Sequence, residues 1–251
     1  MHSARPEDPV WNLVDVSAIV AFAVVSLVFI GGLAIGVAHS LPRFHNVSPV
    51  DLTQNALVLV SAQTVAYLLV VGFMVQIVRL KRRSDFFAAV SWNMPNSQTA
   101  IMALAGGAGL ALFSFVFTFL LSKWIPKSLP IDKYFHDASS AYLLAMFGVI
   151  VAPFVEELLF RGFLYPALAR PIGASASVLI TAAAFAVMHQ SQLAHAWVPL
   201  LWLFMVGVVL TTVRAKTKSV ATSVLIHVAY NATIFVFVFI GTQGFHHMER
   251  V

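Results

Sequence analysis

Two adjacent glutamates, Glu156 and Glu157, lie inside a long hydrophobic run of this 251-residue sequence, and Arg161 follows four residues after the second. A charged side chain near the middle of a membrane helix costs about 2.5 to 3.5 kcal/mol. Two adjacent glutamates in such a helix are therefore expected to have an ion-pair partner, to line a hydrated cavity or to take part in catalysis. Because residues four apart share a helical face, Glu157 and Arg161 are expected to form an ion pair. Glu156 points elsewhere and is the carboxylate available for chemistry.

Two later hydrophobic segments carry polar residues at the same helical spacing. Phe185 and His189 are four apart, and so are His227 and Asn231. A buried glutamate beside a histidine can take a proton from water and later return one to a leaving amine. An N–H of His227 and the amide of Asn231 can stabilise the oxyanion that develops in this reaction. The pattern predicts hydrolysis without a covalent nucleophile.

Together these residues form three ordered motifs on successive C-terminal segments: Glu156-Glu157-x-x-x-Arg161, Phe185-x-x-x-His189 and His227-x-x-x-Asn231. The ordered set resembles the CAAX-protease and bacteriocin-processing family of intramembrane glutamic proteases, also called the ABI family. The resemblance covers about residues 138–240, whereas the earlier segments match only as hydrophobic helices. The family includes prenyl-protein endopeptidases as well as immunity proteins, so the resemblance alone does not identify a substrate.

The resemblance implies a role for each motif residue. Glu156 with His189 would activate the attacking water, and His227 with Asn231 would hold the oxyanion. Three further residues would shape and line the site: Glu157, Arg161 and Phe185. The implied activity is an endopeptidase that needs no cofactor and acts on a prenylated or membrane-associated peptide or protein.

Other hydrolase classes fit the sequence less well. The His-Glu-x-x-His motif of zinc proteases is absent. Two carboxylates and two histidines can nevertheless hold zinc, so a metal-dependent membrane hydrolase is the enzymatic alternative. The stretch from Gly173 to Ala176 lacks the second glycine of a rhomboid-type serine motif, and no aspartate lies within an apolar run. A non-enzymatic immunity or transport scaffold that uses the buried glutamates is the remaining alternative.

The composition predicts an all-α, polytopic membrane protein. Of the residues, 60% are hydrophobic and only 10% are charged, and the mean hydropathy is +0.88. Such a composition indicates a protein whose outer surface contacts lipid. Seven apolar segments approach the ~20 residues that cross a bilayer: 17–38, 56–78, 100–121, 138–164, 174–188, 197–213 and 220–240. An eighth span is expected if the long fourth segment breaks, and the first is expected to be retained rather than cleaved as a signal peptide.

The chain is interpreted as one membrane domain, residues 1–251, with no internal repeat. Residues 1–137 would contain the N-terminal spans and interfacial segments, 138–240 the catalytic core and 241–251 a tail. Glycines in two groups predict close helix packing: Gly31, Gly32 and Gly36, and Gly106, Gly107 and Gly109.

The net charge of +5 reflects membrane topology rather than nucleic-acid binding, because the basic residues cluster in short connections. Three such clusters fall on one side if the spans alternate: Arg79, Lys81, Arg82 and Arg83; Arg161 and Arg170; Arg214, Lys216 and Lys218. The positive-inside rule makes that side cytoplasmic, with the N-terminus inside, the C-terminus outside and the active site toward the cytoplasm. Lys123, Lys127 and Lys133 oppose this assignment. The absence of cysteine excludes disulfides and thiol chemistry.

The remaining histidines are interpreted as non-catalytic. Four are predicted at span edges: His39, His45, His136 and His195. Three lie in the tails: His2, His246 and His247.

Overall fold

The computed structural model describes residues 8–82, 85–135 and 137–247; His2, His136 and Arg83 lie outside these ranges. The described chain is helical and contains no strand. Six helices are long and apolar enough to cross a membrane and one further apolar helix is shorter, which confirms the predicted membrane bundle. The seven principal helices are α1 (Leu13–Ser40), α2 (Ala56–Arg82), α3 (Ser97–Leu120), α4 (Ala138–Ile172), α5 (Ala174–Met188), α6 (Trp197–Thr217) and α7 (Val220–Gly241).

Short turns of helix occupy the connections. They are Pro49–Leu52 and Phe86–Ala89, which are α-helical, and Ser122–Trp124 and Pro130–Tyr134, which are 3₁₀-helical. The main-chain N–H of Ile131 donates to the carbonyl of Gln192, at 3.2 Å, which joins the connection after α3 to the one after α5.

Polar side chains define where the helices begin. Asn12 accepts hydrogen bonds from the N–H groups of Val14 and Asp15, and the Asp15 carboxylate accepts from the N–H of Asn12, which completes a capping box. Three other helices, α3, α4 and α7, begin after residues whose side chains cap the first turn in the same way: Asn96, Asp137 and Ser219. Gly173, with φ of 79°, lets α4 turn into α5 within one residue.

The fourth segment does not break into two spans. It is a continuous helix of 35 residues, so no eighth span arises within it. Its hydrogen bonding changes twice, with π-helical stretches at Phe147–Val151 and Leu158–Leu164 on either side of the α-helical Ala152–Glu157. Pro153 has no N–H to donate to the preceding turn, which favours a local change of this kind. π-Helical insertions often accompany functional sites.

α4 is the central helix of the bundle. It contacts α1, α2, α5, α6 and α7, while α1 packs along α2, α5 along α6 and α3 along α7. Gly107 on α3 touches α7 so closely that a Cβ there would overlap the main chain of Ile226. The prediction of close packing is wrong for the other five glycines, since no described atom lies within 4 Å of the position a Cβ would take: Gly31, Gly32, Gly36, Gly106 and Gly109.

The outer surface carries the large apolar side chains that a lipid solvent requires. Val14, Val28, Leu80 and Phe119 are each at least 72% exposed. So broad an exposed apolar surface is rare on a monomeric soluble protein, whereas a lipid bilayer stabilises it. The chain is therefore an integral membrane protein.

Two of the basic residues used to predict topology are misassigned. Arg161 and Arg214 lie within α4 and α6 and are 0% and 1% exposed. Arg161 pairs with a carboxylate, and the guanidinium of Arg214 lies 5.7 Å from the ring centroid of Tyr165. Buried, compensated charges of this kind do not act as connection charges. Arg170, Lys216 and Lys218 lie at the C-terminal ends of α4 and α6, and the orientation of the chain in the membrane stays a prediction.

Candidate active site

Glu156 lies between two imidazole rings that come from different helices. Its Oε1 is 4.0 Å from Nε2 of His189 at the end of α5, and its Oε2 is 3.9 Å from Nε2 of His227 on α7. The Glu156 side chain is 11% exposed. These separations exceed a direct hydrogen bond and suit contact through a water molecule. The structure thus brings together one carboxylate and two ring nitrogens from α4, α5 and α7.

Both rings are held by their other nitrogen. His189 Nδ1 lies 2.8 Å from the carbonyl oxygen of Phe185, and His227 Nδ1 lies 2.8 Å from Oε1 of Glu157. A carbonyl and a carboxylate only accept hydrogen bonds, so each Nδ1 carries the proton in the neutral ring. Both Nε2 atoms are then unprotonated and face Glu156. His227 donates an N–H from Nε2 only after it gains a second proton.

Glu157 and Arg161 form the ion pair that their spacing predicts. Nη1 of Arg161 lies 2.8 Å from Oε1 of Glu157, and both side chains are completely buried. The guanidinium also donates to the hydroxyl of Thr211 and to the carbonyl of Gly207, each at 3.2 Å. The N–H groups of the planar guanidinium therefore bind acceptors on both α4 and α6, a geometry for which arginine is well suited. The same Glu157 oxygen holds His227, so α4, α6 and α7 are fixed together.

Asn231 is positioned by the first π-helical stretch of α4. Its Nδ2 donates to the carbonyl oxygen of Gly148 at 2.7 Å, which also identifies the amide nitrogen, because a carbonyl cannot donate. A π-helix shifts the regular hydrogen-bond ladder, so a carbonyl becomes available to a side chain. The second N–H of the amide is left for another acceptor.

Phe185 forms the apolar base of the cluster and is 1% exposed. Its ring centroid lies 4.8 Å from that of His189 and 5.8 Å from that of His227. The Arg161 guanidinium carbon lies 4.7 Å from the same centroid, within the range of a cation–π interaction. One aromatic ring therefore lies against both histidines and the Arg161 guanidinium.

Contacts join six of the seven motif residues directly, whereas Asn231 bonds to the carbonyl of Gly148. Several partners of the motif residues were not predicted from the sequence. These partners are Gly148, Thr211 and Gly207. Thr211 and Gly207 are four residues apart on α6, and Thr211 also donates to the Gly207 carbonyl at 2.7 Å. That spacing was a usable signal. No sequence signal could have identified the Gly148 carbonyl, because every residue has a carbonyl and only the helix geometry exposes this one.

The spacing of the same side chains bears on metal binding. Across residues 8–82, 85–135 and 137–247, no three or more His, Cys, Asp or Glu side chains are arranged to hold a metal ion. The four-ångström gaps between Glu156 and the two Nε2 atoms are about twice a zinc–ligand distance of ~2.0 Å.

The segment that carries the cluster is similar to one known protein family. Residues 138–233 match the family described as Rce1-like, type II CAAX prenyl endopeptidase. No curated protein and no solved structure matches the chain. The matched range starts at the first residue of α4 and ends in α7, so it contains all three motifs. The family implies an intramembrane protease whose substrate is a peptide or protein at the membrane. The match of residues 138–233 to the Rce1-like family of CAAX prenyl endopeptidases confirms the resemblance that the motifs predicted.

Proposed function

We propose that the protein is an intramembrane endopeptidase in which Glu156 and His189 activate a water molecule for attack on a peptide bond. The observation that carries this proposal is the placement of the Glu156 carboxylate 4.0 Å from Nε2 of His189 and 3.9 Å from Nε2 of His227. A water between these atoms can donate one hydrogen to the carboxylate and the other to an unprotonated Nε2, which directs its lone pair outward.

The first step forms the bond between the water oxygen and the scissile carbonyl carbon. Glu156 accepts the water proton, and the carbonyl π electrons move onto oxygen. Asn231 donates its second N–H to this oxyanion. Holding Nδ2 on the Gly148 carbonyl fixes the amide before the charge develops, so little reorganisation is needed.

The second step breaks the carbon–nitrogen bond. The proton taken by Glu156 passes to Nε2 of His227, which then becomes an N–H donor, and from there to the leaving amine. Glu157, hydrogen-bonded to Nδ1 at 2.8 Å, stabilises the ring while it carries both protons. The water has then supplied one hydrogen to the amine and its oxygen to the new carboxyl group, and the enzyme is restored.

The proposed substrate is a prenylated or membrane-associated peptide or protein that is cleaved on the cytoplasmic side. The similarity of residues 138–233 to type II CAAX prenyl endopeptidases supports a prenylated C-terminus. The cytoplasmic orientation rests on Arg79, Lys81, Arg170, Lys216 and Lys218, which fall on one side of alternating spans.

The decisive experiment compares the wild type with Glu156→Gln, which removes the base and keeps the shape. Purified protein in detergent would be given a farnesylated peptide with a C-terminal CAAX sequence. In parallel, membrane peptides from cells with either form would be compared by mass spectrometry. Cleavage that requires Glu156 in either assay supports the proposal. Glu156-independent products, or no difference in both assays, would overturn it.

Matched histidine variants test the role of the ring. His189→Ala should abolish cleavage, whereas His195→Ala, six residues further along an exposed connection, should leave it unchanged. Equal losses in both variants would mean that the connection after α5, rather than the His189 ring, supports activity.

A chelator separates the metal-dependent alternative. Incubation with 1,10-phenanthroline should leave the cleavage rate unchanged under the water-activation mechanism. Loss of activity that added zinc restores would assign the reaction to a metal hydrolase. A protein that folds normally and protects or transports without any cleavage would instead be an immunity or transport scaffold.

A further inference from the structure

A polar pair on α2 lies outside both the motifs and the family match. Gln63 and Tyr67 are four residues apart in a helix otherwise rich in aliphatic side chains, and both are half-buried. Nε2 of Gln63 donates to the Tyr67 hydroxyl oxygen at 3.1 Å. The phenol oxygen thus accepts one hydrogen bond, and its own proton is left to donate elsewhere.

The Tyr67 hydroxyl lies close enough to the Glu156 carboxylate for the two to interact electrostatically. Its ring packs at 5.8 Å, centroid to centroid, against Phe147, the first residue of the π-helical stretch in α4. The next residue, Gly148, supplies the carbonyl that holds Asn231. Tyr67 therefore reaches the region where Glu156 and the Asn231 amide act.

A count of hydrogen-bond donors shows why a phenol is useful there. In their neutral forms, both His189 and His227 donate from Nδ1 to Phe185 and Glu157, and both present acceptors toward Glu156. The Asn231 amide has one further N–H besides the one that donates to Gly148. A tetrahedral oxyanion is commonly stabilised by two donors. The Tyr67 O–H can complete that pair before His227 has gained its second proton.

We propose that Tyr67 is a catalytic hydrogen-bond donor to the oxyanion, positioned by Gln63, and that the active site consequently depends on α2 as well as on the 138–233 segment. The inference rests on the proposed protease function. It adds a second donor, from a helix that the family match does not include, to the one supplied by Asn231.

The test uses Tyr67→Phe, which removes only the hydroxyl. The substrate is the farnesylated CAAX peptide, or the peptide that the mass-spectrometric comparison shows the wild type to cleave. Loss of one oxyanion donor typically lowers kcat by about 10²- to 10³-fold. We expect a loss near the lower value with KM unchanged, because the hydroxyl acts on the charge that develops in the transition state.

Two further tyrosines serve as controls. Tyr142→Phe makes the same chemical change at a side chain that is 51% exposed and should leave kcat unchanged. Tyr230→Phe removes the hydroxyl that accepts from Trp202 at 2.8 Å, so it should lower the melting temperature in detergent and leave kcat per folded molecule unchanged.

A double variant guards against misfolding. Tyr67→Phe alone leaves the Gln63 amide without its partner, which is costly in an apolar environment. Gln63→Leu with Tyr67→Phe replaces both members of the pair by apolar groups, a change that is often nearly neutral for stability. This variant should keep the wild-type melting temperature and show the same loss of kcat.

The outcomes separate this inference from the proposed function. If the wild type cleaves, Glu156→Gln does not, and both Tyr67 variants retain full kcat, the oxyanion role of Tyr67 is refuted while the protease function stands. A lower melting temperature with an unchanged kcat per folded molecule would also refute the oxyanion role and would show that Tyr67 contributes to packing alone. If the wild type shows no Glu156-dependent cleavage, the proposed function fails first and Tyr67 has no reaction to assist.

Discussion

The buried ion pair between Glu157 and Arg161 allows a quantitative test of how the site is held together. Both side chains are 0% exposed, and the pair is joined at 2.8 Å. Replacing Arg161 with Met removes the guanidinium and leaves the buried Glu157 carboxylate, which still accepts from His227 Nδ1, without its counter-ion. Breaking a buried pair in this way typically destabilises a protein by about 3–5 kcal/mol.

The reverse change, Glu157→Gln, leaves the Arg161 charge without a counter-ion and has a similar expected cost of about 3–5 kcal/mol. If the two residues acted independently, the double variant would lose about 6–10 kcal/mol. Removing both charges leaves no uncompensated ion, so we expect the double variant to be no less stable than either single variant. The coupling free energy would then be at least about 3 kcal/mol.

The assay is a double-mutant cycle by reversible unfolding in mixed detergent micelles. Wild type, both single variants and the double variant would be titrated with SDS and followed by tryptophan fluorescence. Cleavage should not recover in the double variant, because the carboxylate that orients His227 is still missing. Additive free energies, with a coupling below about 0.5 kcal/mol, would refute the inferred pair. Full activity of the double variant would refute the role of Glu157 in holding His227.

Three other predictions follow from single features of the structure. Asn231→Ala should lower kcat about 10²- to 10³-fold with little change in KM, and an unaltered rate would reassign the residue to packing. Gly107→Ala should destabilise the contact between α3 and α7 by about 1–3 kcal/mol in the same SDS titration, whereas the neighbouring Gly106→Ala, with open space around it, should not. Because the chain has no native cysteine, Lys216→Cys and Lys127→Cys each create a single thiol. An impermeant maleimide should label the Lys216→Cys variant only from the cytoplasmic face and the Lys127→Cys variant only from the opposite face. Labelling of both variants from the same face would refute the predicted topology.

The sequence predicted the helical membrane class and the Glu157–Arg161 pair because both depend on local spacing. Glu157 and Arg161 share a face on any helix, and the long apolar runs leave few other folds. The sequence did not predict that Glu157 would take Nδ1 of His227, because that contact joins residues 70 positions apart. Nor did it predict the depth of Arg214, which adjoins a basic connection in sequence but lies 1% exposed within α6.

The glycines illustrate a different limit of sequence reasoning. Gly107 and Gly106 are adjacent and chemically identical, yet one meets the main chain of α7 and the other faces open space. Which face of a lipid-exposed helix packs inward is not encoded in a hydrophobic pattern that is apolar all round. The π-helical stretches in α4 were not predicted from the sequence either, because the apolar pattern of the fourth segment is the same for an α-helix.

The arrangement of charges also explains how hydrolysis can proceed in an apolar environment. Glu157 and Arg161 neutralise each other, and the two rings are neutral when each Nδ1 alone carries a proton. In the proposed mechanism Glu156 therefore holds the net negative charge of the resting site. When water gives its proton to Glu156, that charge disappears from the carboxylate as it develops on the oxyanion. The charge moves over a few ångströms between fixed donors and no new charge is created, which keeps the solvation penalty of a low-dielectric site small.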